Sequence, residues 1–121
     1  MYSLTLFEVF LITHLAMDWI FQWKWEATNK AKNLFALFFH CAVYTAGFIP
    51  AFLYFEINLT WLILIFISHA VIDNRKLLFF ILEKFKGRKR EGVSEAEWLV
   101  LITGVDQTLH LVVLALIVIF S

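Results

Sequence analysis

Near the start of the chain, His14, Asp18 and Gln22 stand at intervals of four inside a run that is otherwise almost entirely apolar. Positions four apart lie above one another on an α-helix. The run therefore predicts an apolar helix with one polar stripe made of an imidazole, a carboxylate and an amide. Three later apolar segments answer it with His40 and Tyr44, His69 and Asp73, and Asp106 and His110. Each segment brings one histidine, and three of them pair it with an aspartate four residues away. That repetition limits the chain to an all-α fold in which helices bring polar stripes together.

Composition says where such helices would reside. Of 121 residues, 62% are hydrophobic, and the mean hydropathy is +0.81. A soluble domain of this size cannot hide so much Phe, Leu and Ile behind its own surface. Net charge is zero, which removes the bulk electrostatic case for nucleic acid. The single cysteine, Cys41, excludes an internal disulfide and a cysteine metal cluster. It falls inside an apolar helix, where an inert buried thiol is expected. The N-terminal region has Glu8 in place of the basic stretch of a signal peptide, so its apolar segment is expected to be retained. The chain reads as an integral membrane protein of the inner, cytoplasmic membrane, crossing it several times.

Four transmembrane helices are expected, over residues 3–23, 34–55, 57–82 and 95–120 of a single domain covering 1–121. Trp19, Trp23 and Trp25 gather at the end of the first, as an interfacial belt would. Gly47 and Pro50 lie in the second, where the proline should kink or loosen the helix. Ser94 and Glu97 have capping-box spacing at the start of the fourth. All ten Lys and Arg residues fall in the first and third connections or in the helix end leading to the third. The positive-inside rule places those connections in the cytoplasm and both termini outside.

This topology orders the polar residues. Helices one and three run inward and read His then Asp; helix four runs outward and reads Asp then His. All three aspartates consequently fall on the cytoplasmic side of their partner histidines. At about 1.5 Å per residue the histidines lie roughly 9 to 18 Å below the boundary, and the aspartates roughly 3 to 12 Å. Two stacked layers are expected in one half of the membrane.

An ionisable group at that depth is costly and is normally paired or functional. A divalent metal would accept imidazoles and carboxylates together, and i,i+4 spacing lets one helix supply two ligands. Without a metal, His–Asp bonds can join helices or relay protons. Haem ligation by histidine would leave the aspartates without a task. On the metal reading, one or two ions, Zn²⁺ or another first-row metal, would be held by His14, Asp18, His69, Asp73, Asp106 and His110. His40 is expected as a further ligand or base, and Asp18 as the catalytic base. Gln22, Tyr44 and Gln107 are expected to orient the ligands. The ion would activate water and polarise an ester or phosphoester bond. A site near the interface suits a lipid or lipid-linked substrate, with no serine or cysteine placed as nucleophile.

The joint pattern H-x3-D-x3-Q-x2-W, H-x3-Y, H-x3-D and D-Q-x2-H resembles a family of uncharacterised small bacterial and phage four-helix membrane proteins. Here it comprises His14, Asp18, Gln22 and Trp25, then His40 and Tyr44, His69 and Asp73, and Asp106, Gln107 and His110. The resemblance covers nearly the whole chain and implies no established activity. The pattern is also distantly similar to inner-membrane proteins described as metal-dependent hydrolases, which implies metal and hydrolysis by analogy alone. The competing function is non-enzymatic: a channel or transporter component, or an accessory subunit, using the His/Asp stack for protons or cations. Membrane lipids are expected partners, with a homo-oligomer or a membrane-protein partner also allowed. The topology makes a direct prediction: reporter fusions after Gly87 and after Ser121 will read cytoplasmic and external respectively, and a cytoplasmic C-terminus would contradict it.

Overall fold

A computed structural model describes residues 3–20, 29, 32–84 and 91–121. Among these the chain is helical throughout, with short turns. Helix α1 spans Leu6–Leu15. Thr5 caps it: its Oγ1 accepts from the Glu8 N–H (3.2 Å), while Glu8 Oε2 accepts from the Thr5 N–H (2.6 Å). This reciprocal pair satisfies two donors that the first turn would otherwise leave open. A π-helical segment, Ala16–Ile20, follows at once. Helices α2 (Leu34–Ala46) and α3 (Ile49–Tyr54) form the second apolar stretch. Asn33 Oδ1 caps α2 by accepting from the Phe35 N–H (2.8 Å).

Helices α4 (Trp61–Asp73) and α5 (Lys76–Lys84) form the third stretch, and α6 (Glu95–Phe120) the fourth. Ser94 Oγ accepts from the Glu97 N–H (3.1 Å) at the start of α6, where the capping spacing placed it. Pro50 falls in the first turn of α3, where its missing N–H removes no helical bond. The expected kink of the second stretch thus takes the form of a break at Gly47 and Phe48.

Four membrane helices were expected, and the structure departs from this. Among the described residues, two helical stretches are long and apolar enough to cross a membrane: Leu34–Tyr54, with 21 residues, and Glu95–Phe120, with 26. The first segment changes from α to π at Ala16, and its expected end, with Trp23 and Trp25, lies outside the described residues. The third begins at Trp61, after a turn in which Asn58 Oδ1 accepts from the Thr60 N–H (3.0 Å). It then breaks after Asp73 because Arg75 adopts φ +66°, a left-handed conformation that ends an α-helix. The 13 residues of α4 reach only about 20 Å at 1.5 Å per residue.

The segments pack in a closed ring. The α1 and π-helical segment touches α2, α3 and α6; α2 lies against α4; and α4 lies against α6. The α5 helix tucks against α4 and α6. One apolar core joins Phe10, Phe48, Phe52, Ile65, Leu114 and Ile117 at the end of the bundle where α1 and α4 begin and α6 finishes. A smaller one, Leu78, Leu82 and Ile102, joins α5 to α6 at the other end. Between them lie the buried polar residues. Gly47 lets the second stretch approach the π-helical segment: a Cβ there would fall 2.4 Å from Met17 Cγ. Outward faces are strongly apolar, with Phe35, Val100, Ile119 and Phe120 each at least 70% exposed.

Candidate metal centre

The sequence placed a polar pair on each of four segments, and the folded bundle brings all four together. His14, Asp18, His40, His69, Asp73 and His110 are all buried. Four side-chain atoms form a compact group. His40 Nε2 lies 2.9 Å from His69 Nε2 and 3.2 Å from both Asp18 Oδ1 and Asp73 Oδ2. His69 Nε2 lies 3.1 Å from Asp73 Oδ2 and 3.8 Å from Asp18 Oδ1. A Zn²⁺ ion with four N and O ligands at about 2.0–2.1 Å defines a tetrahedron with edges of roughly 3.3 Å. The five measured separations bracket that value. Two imidazole nitrogens facing each other need either a single shared proton or a cation, and the donor set of two nitrogens and two carboxylate oxygens fits a divalent metal.

Local structure explains each position. On α4 the spacing of His69 and Asp73 works as the sequence implies, since one helical turn sets their atoms 3.1 Å apart. On α6, His110 Nδ1 instead donates to the backbone carbonyl of Asp106 (2.8 Å) and stays 3.7 Å from Asp106 Oδ1. A π-helical turn is wider than an α turn, so Asp18 leaves the column that His14 occupies. Asp18 Oδ1 turns to His40, and its Oδ2 accepts from Gln107 Nε2 (3.3 Å). The two expected layers thereby merge, because aspartate oxygens and histidine nitrogens meet at one level.

His14 is where the structure departs most from the expected ligand set. Its Nδ1 lies 2.7 Å from the Tyr44 hydroxyl and its Nε2 2.8 Å from Gln107 Oε1. Gln107 Nε2 also reaches Asp106 Oδ2 (3.1 Å). An amide nitrogen placed between two carboxylates must donate to both, which fixes the amide orientation and leaves Oε1 to accept from His14 Nε2–H. His14 Nδ1 then accepts from Tyr44. Both ring nitrogens are used, so His14 supports the cluster from one side. His40, expected as base or additional ligand, stands at its centre instead. Asp18, expected as the base, has one oxygen toward His40 and the other on Gln107. Gln22 lies outside the described residues.

Tyr44 has a second task that its sequence position did not announce. Its ring stacks on His69 with centroids 3.7 Å apart and planes 15° from parallel. His69 Nδ1 has no hydrogen-bond partner among the described residues, so the stack and the contacts of Nε2 hold that ring. Cys41 is buried, as its apolar setting implied. Two grouped sets of metal-capable side chains result: Asp18, His40, His69 and Asp73, and then Asp73, Asp106 and His110.

A family model described as "Protein of unknown function (DUF3307)" matches residues 6–121, and the chain belongs to that family. No curated protein and no solved structure matches it.

The Tyr44–His14–Gln107 chain predicts a graded response in detergent-solubilised protein. Tyr44→Phe strands one buried acceptor and should cost about 1–3 kcal/mol. Gln107→Leu strands the His14 N–H and removes a donor from two carboxylates, so its loss should be larger. Denaturant unfolding followed by circular dichroism checks the order; an equal or smaller loss for Gln107→Leu would contradict the assigned directions.

Proposed function

We propose that this chain is an integral membrane protein holding a divalent metal ion, Zn²⁺ as first choice, among Asp18, His40, His69 and Asp73. In this reading four segments cross a bacterial inner membrane, in a bacterial or phage setting, with both termini outside. The observation that carries it is the convergence of two imidazole nitrogens and two carboxylate oxygens at ligand spacing. The inverted polarity of the bundle supports the membrane setting. Its interior holds the ionisable groups, while its outer faces expose Phe35, Val100 and Ile119, the surface that a lipid solvent favours and water does not.

The activity we assign is hydrolysis of a lipid or lipid-linked ester or phosphoester. A bound ion supplies Lewis acidity and an activated water. This chain's residues hold the ion, orient its ligands through Gln107 and keep bulk water away with the apolar cores on either side. An apolar groove of about 400 Å³ between α5 and α6, lined by Ile81, Val100, Leu101, Gly104 and Leu109, runs beside the α6 turn that carries Asp106. Its size and lining suit an acyl chain. A larger groove of about 590 Å³, at Ser3, Val9, Pro50 and Phe55, lies at the opposite end of the bundle and has no part in this reading.

The Tyr44–His14–Gln107–Asp18 connection favours a second reading, a non-enzymatic protein that holds or moves protons or cations, alone or as a subunit of a homo-oligomer or larger membrane complex. The aromatic core of Phe10, Phe48 and Phe52 at one end speaks against a polar path through a single chain.

The test is metal analysis of purified protein beside hydrolysis of candidate lipid phosphoesters. Wild type and Cys41→Ser should carry stoichiometric metal and turn over substrate, whereas His69→Ala should lose most of both. Absence of metal, with none taken up on exposure to Zn²⁺, Mn²⁺ or Co²⁺, would overturn the metal reading. Bound metal with no turnover would favour the second.

A further inference from the structure

Asp73 faces two ways. Its Oδ2 meets His40 Nε2 (3.2 Å) and His69 Nε2 (3.1 Å), while its Oδ1 points to His110 Nε2 at 3.5 Å. On His110 the other ring nitrogen is already committed. Nδ1 donates to the Asp106 carbonyl at 2.8 Å, so in the neutral ring Nε2 carries the lone pair. His110 is only 3% exposed, and its Nε2 is buried with no hydrogen-bond partner among the described residues. A buried lone pair aimed at a carboxylate oxygen repels it unless a proton or a cation lies between them. The Asp106 carboxylate stands beside the same two groups, and a cation answers Asp73, Asp106 and His110 together.

Gln107 completes the pattern. Its two amide hydrogens hold Oδ2 of Asp18 and Oδ2 of Asp106. The opposite oxygen of Asp18 serves the first group, and Asp106 Oδ1 lies on the His110 side (3.7 Å from Nδ1). One amide thus aims two carboxylates at two neighbouring positions. From these contacts we infer that the centre takes two divalent cations, bridged by the Asp73 carboxylate, with the second held by Asp73, Asp106 and His110.

The two positions differ in kind. The first offers four protein donors from buried residues, the closed arrangement of a structural site. The second offers three donors, and the Asp106 side chain is 19% exposed against 1% for Asp73. Three ligands with an open side is the arrangement that leaves room for water or a substrate oxygen. Paired ions of this type act together on phosphoester oxygens. The second ion is therefore the reactive one, and the phosphoester is the favoured substrate class. Asp18 and His40 become holders of the first ion, with no free atom for proton transfer.

This inference rests on the metal reading above, and the experiment separates the two. Purified full-length protein is loaded with Mn²⁺ in detergent, dialysed, and assayed for Mn²⁺ per chain together with its electron paramagnetic resonance spectrum. Wild type should hold two ions and show the multiline signal of an exchange-coupled pair. Asp106→Asn keeps the shape and the acceptor for Gln107, and it should hold one ion with the signal of isolated Mn²⁺. His110→Ala should do the same, and the conservative Asp106→Asn covers the case in which His110→Ala fails to fold. One uncoupled ion in wild type, unchanged in Asp106→Asn, would overturn the second ion and leave the first. No bound ion in wild type would overturn the metal reading itself.

Discussion

Carboxylates and imidazoles removed from water must find opposite charge or hydrogen bonds, because an isolated buried ion costs several kcal/mol even after relaxation. That constraint governs the whole bundle. Asp18, Asp73, His40, His69 and His110 are packed within a few ångströms of one another at the centre. The apolar residues have segregated to the two ends and to the outside. Helices that would otherwise slide past one another are held in register because only one register brings the nitrogen and oxygen atoms to contact distance. A cation in their midst would turn mutual repulsion among carboxylates into shared attraction.

The supporting geometry is built from irregularities. A π-helical turn aims Asp18 away from His14 and toward His40. The close approach at Gly47 admits Met17 and seats that turn against the second stretch. Arg75 closes α4 two residues after Asp73, so the carboxylate that faces both groups stands at a helix end, and α5 folds back over Ile102 of α6. Strain and helix breaks of this kind cluster at functional sites because the surrounding structure must enforce them.

Much of this was legible in the chain. The i,i+4 pairs named every histidine and aspartate that the structure gathers, because one helical turn is a rigid ruler. Ser94 and Asn33 cap where polar residues precede apolar runs. The Thr5–Glu8 capping box has the same signature, although Glu8 first reads only as an acidic residue where a signal peptide would be basic. What periodicity could not show was a change of helical pitch. No residue type in Ala16–Ile20 marks a π turn, so His14 read as the partner of Asp18 and bonds Tyr44 and Gln107 instead. The break at Arg75 was hidden for a related reason: apolar residues on both sides disguised two short helices as one span. The apolar content of the segments was plain, but the lengths of α1 and α4 follow from these breaks.

X-ray absorption at the zinc edge of Zn²⁺-loaded protein tests the central claim most directly. The predicted spectrum has only nitrogen and oxygen neighbours, at about 2.0–2.1 Å, with the outer-shell scattering of bound imidazole. Asp73→Asn should weaken or abolish it. A sulfur shell near about 2.3 Å, or an oxygen-only shell without imidazole scattering, would contradict a centre built from His40, His69, Asp18 and Asp73.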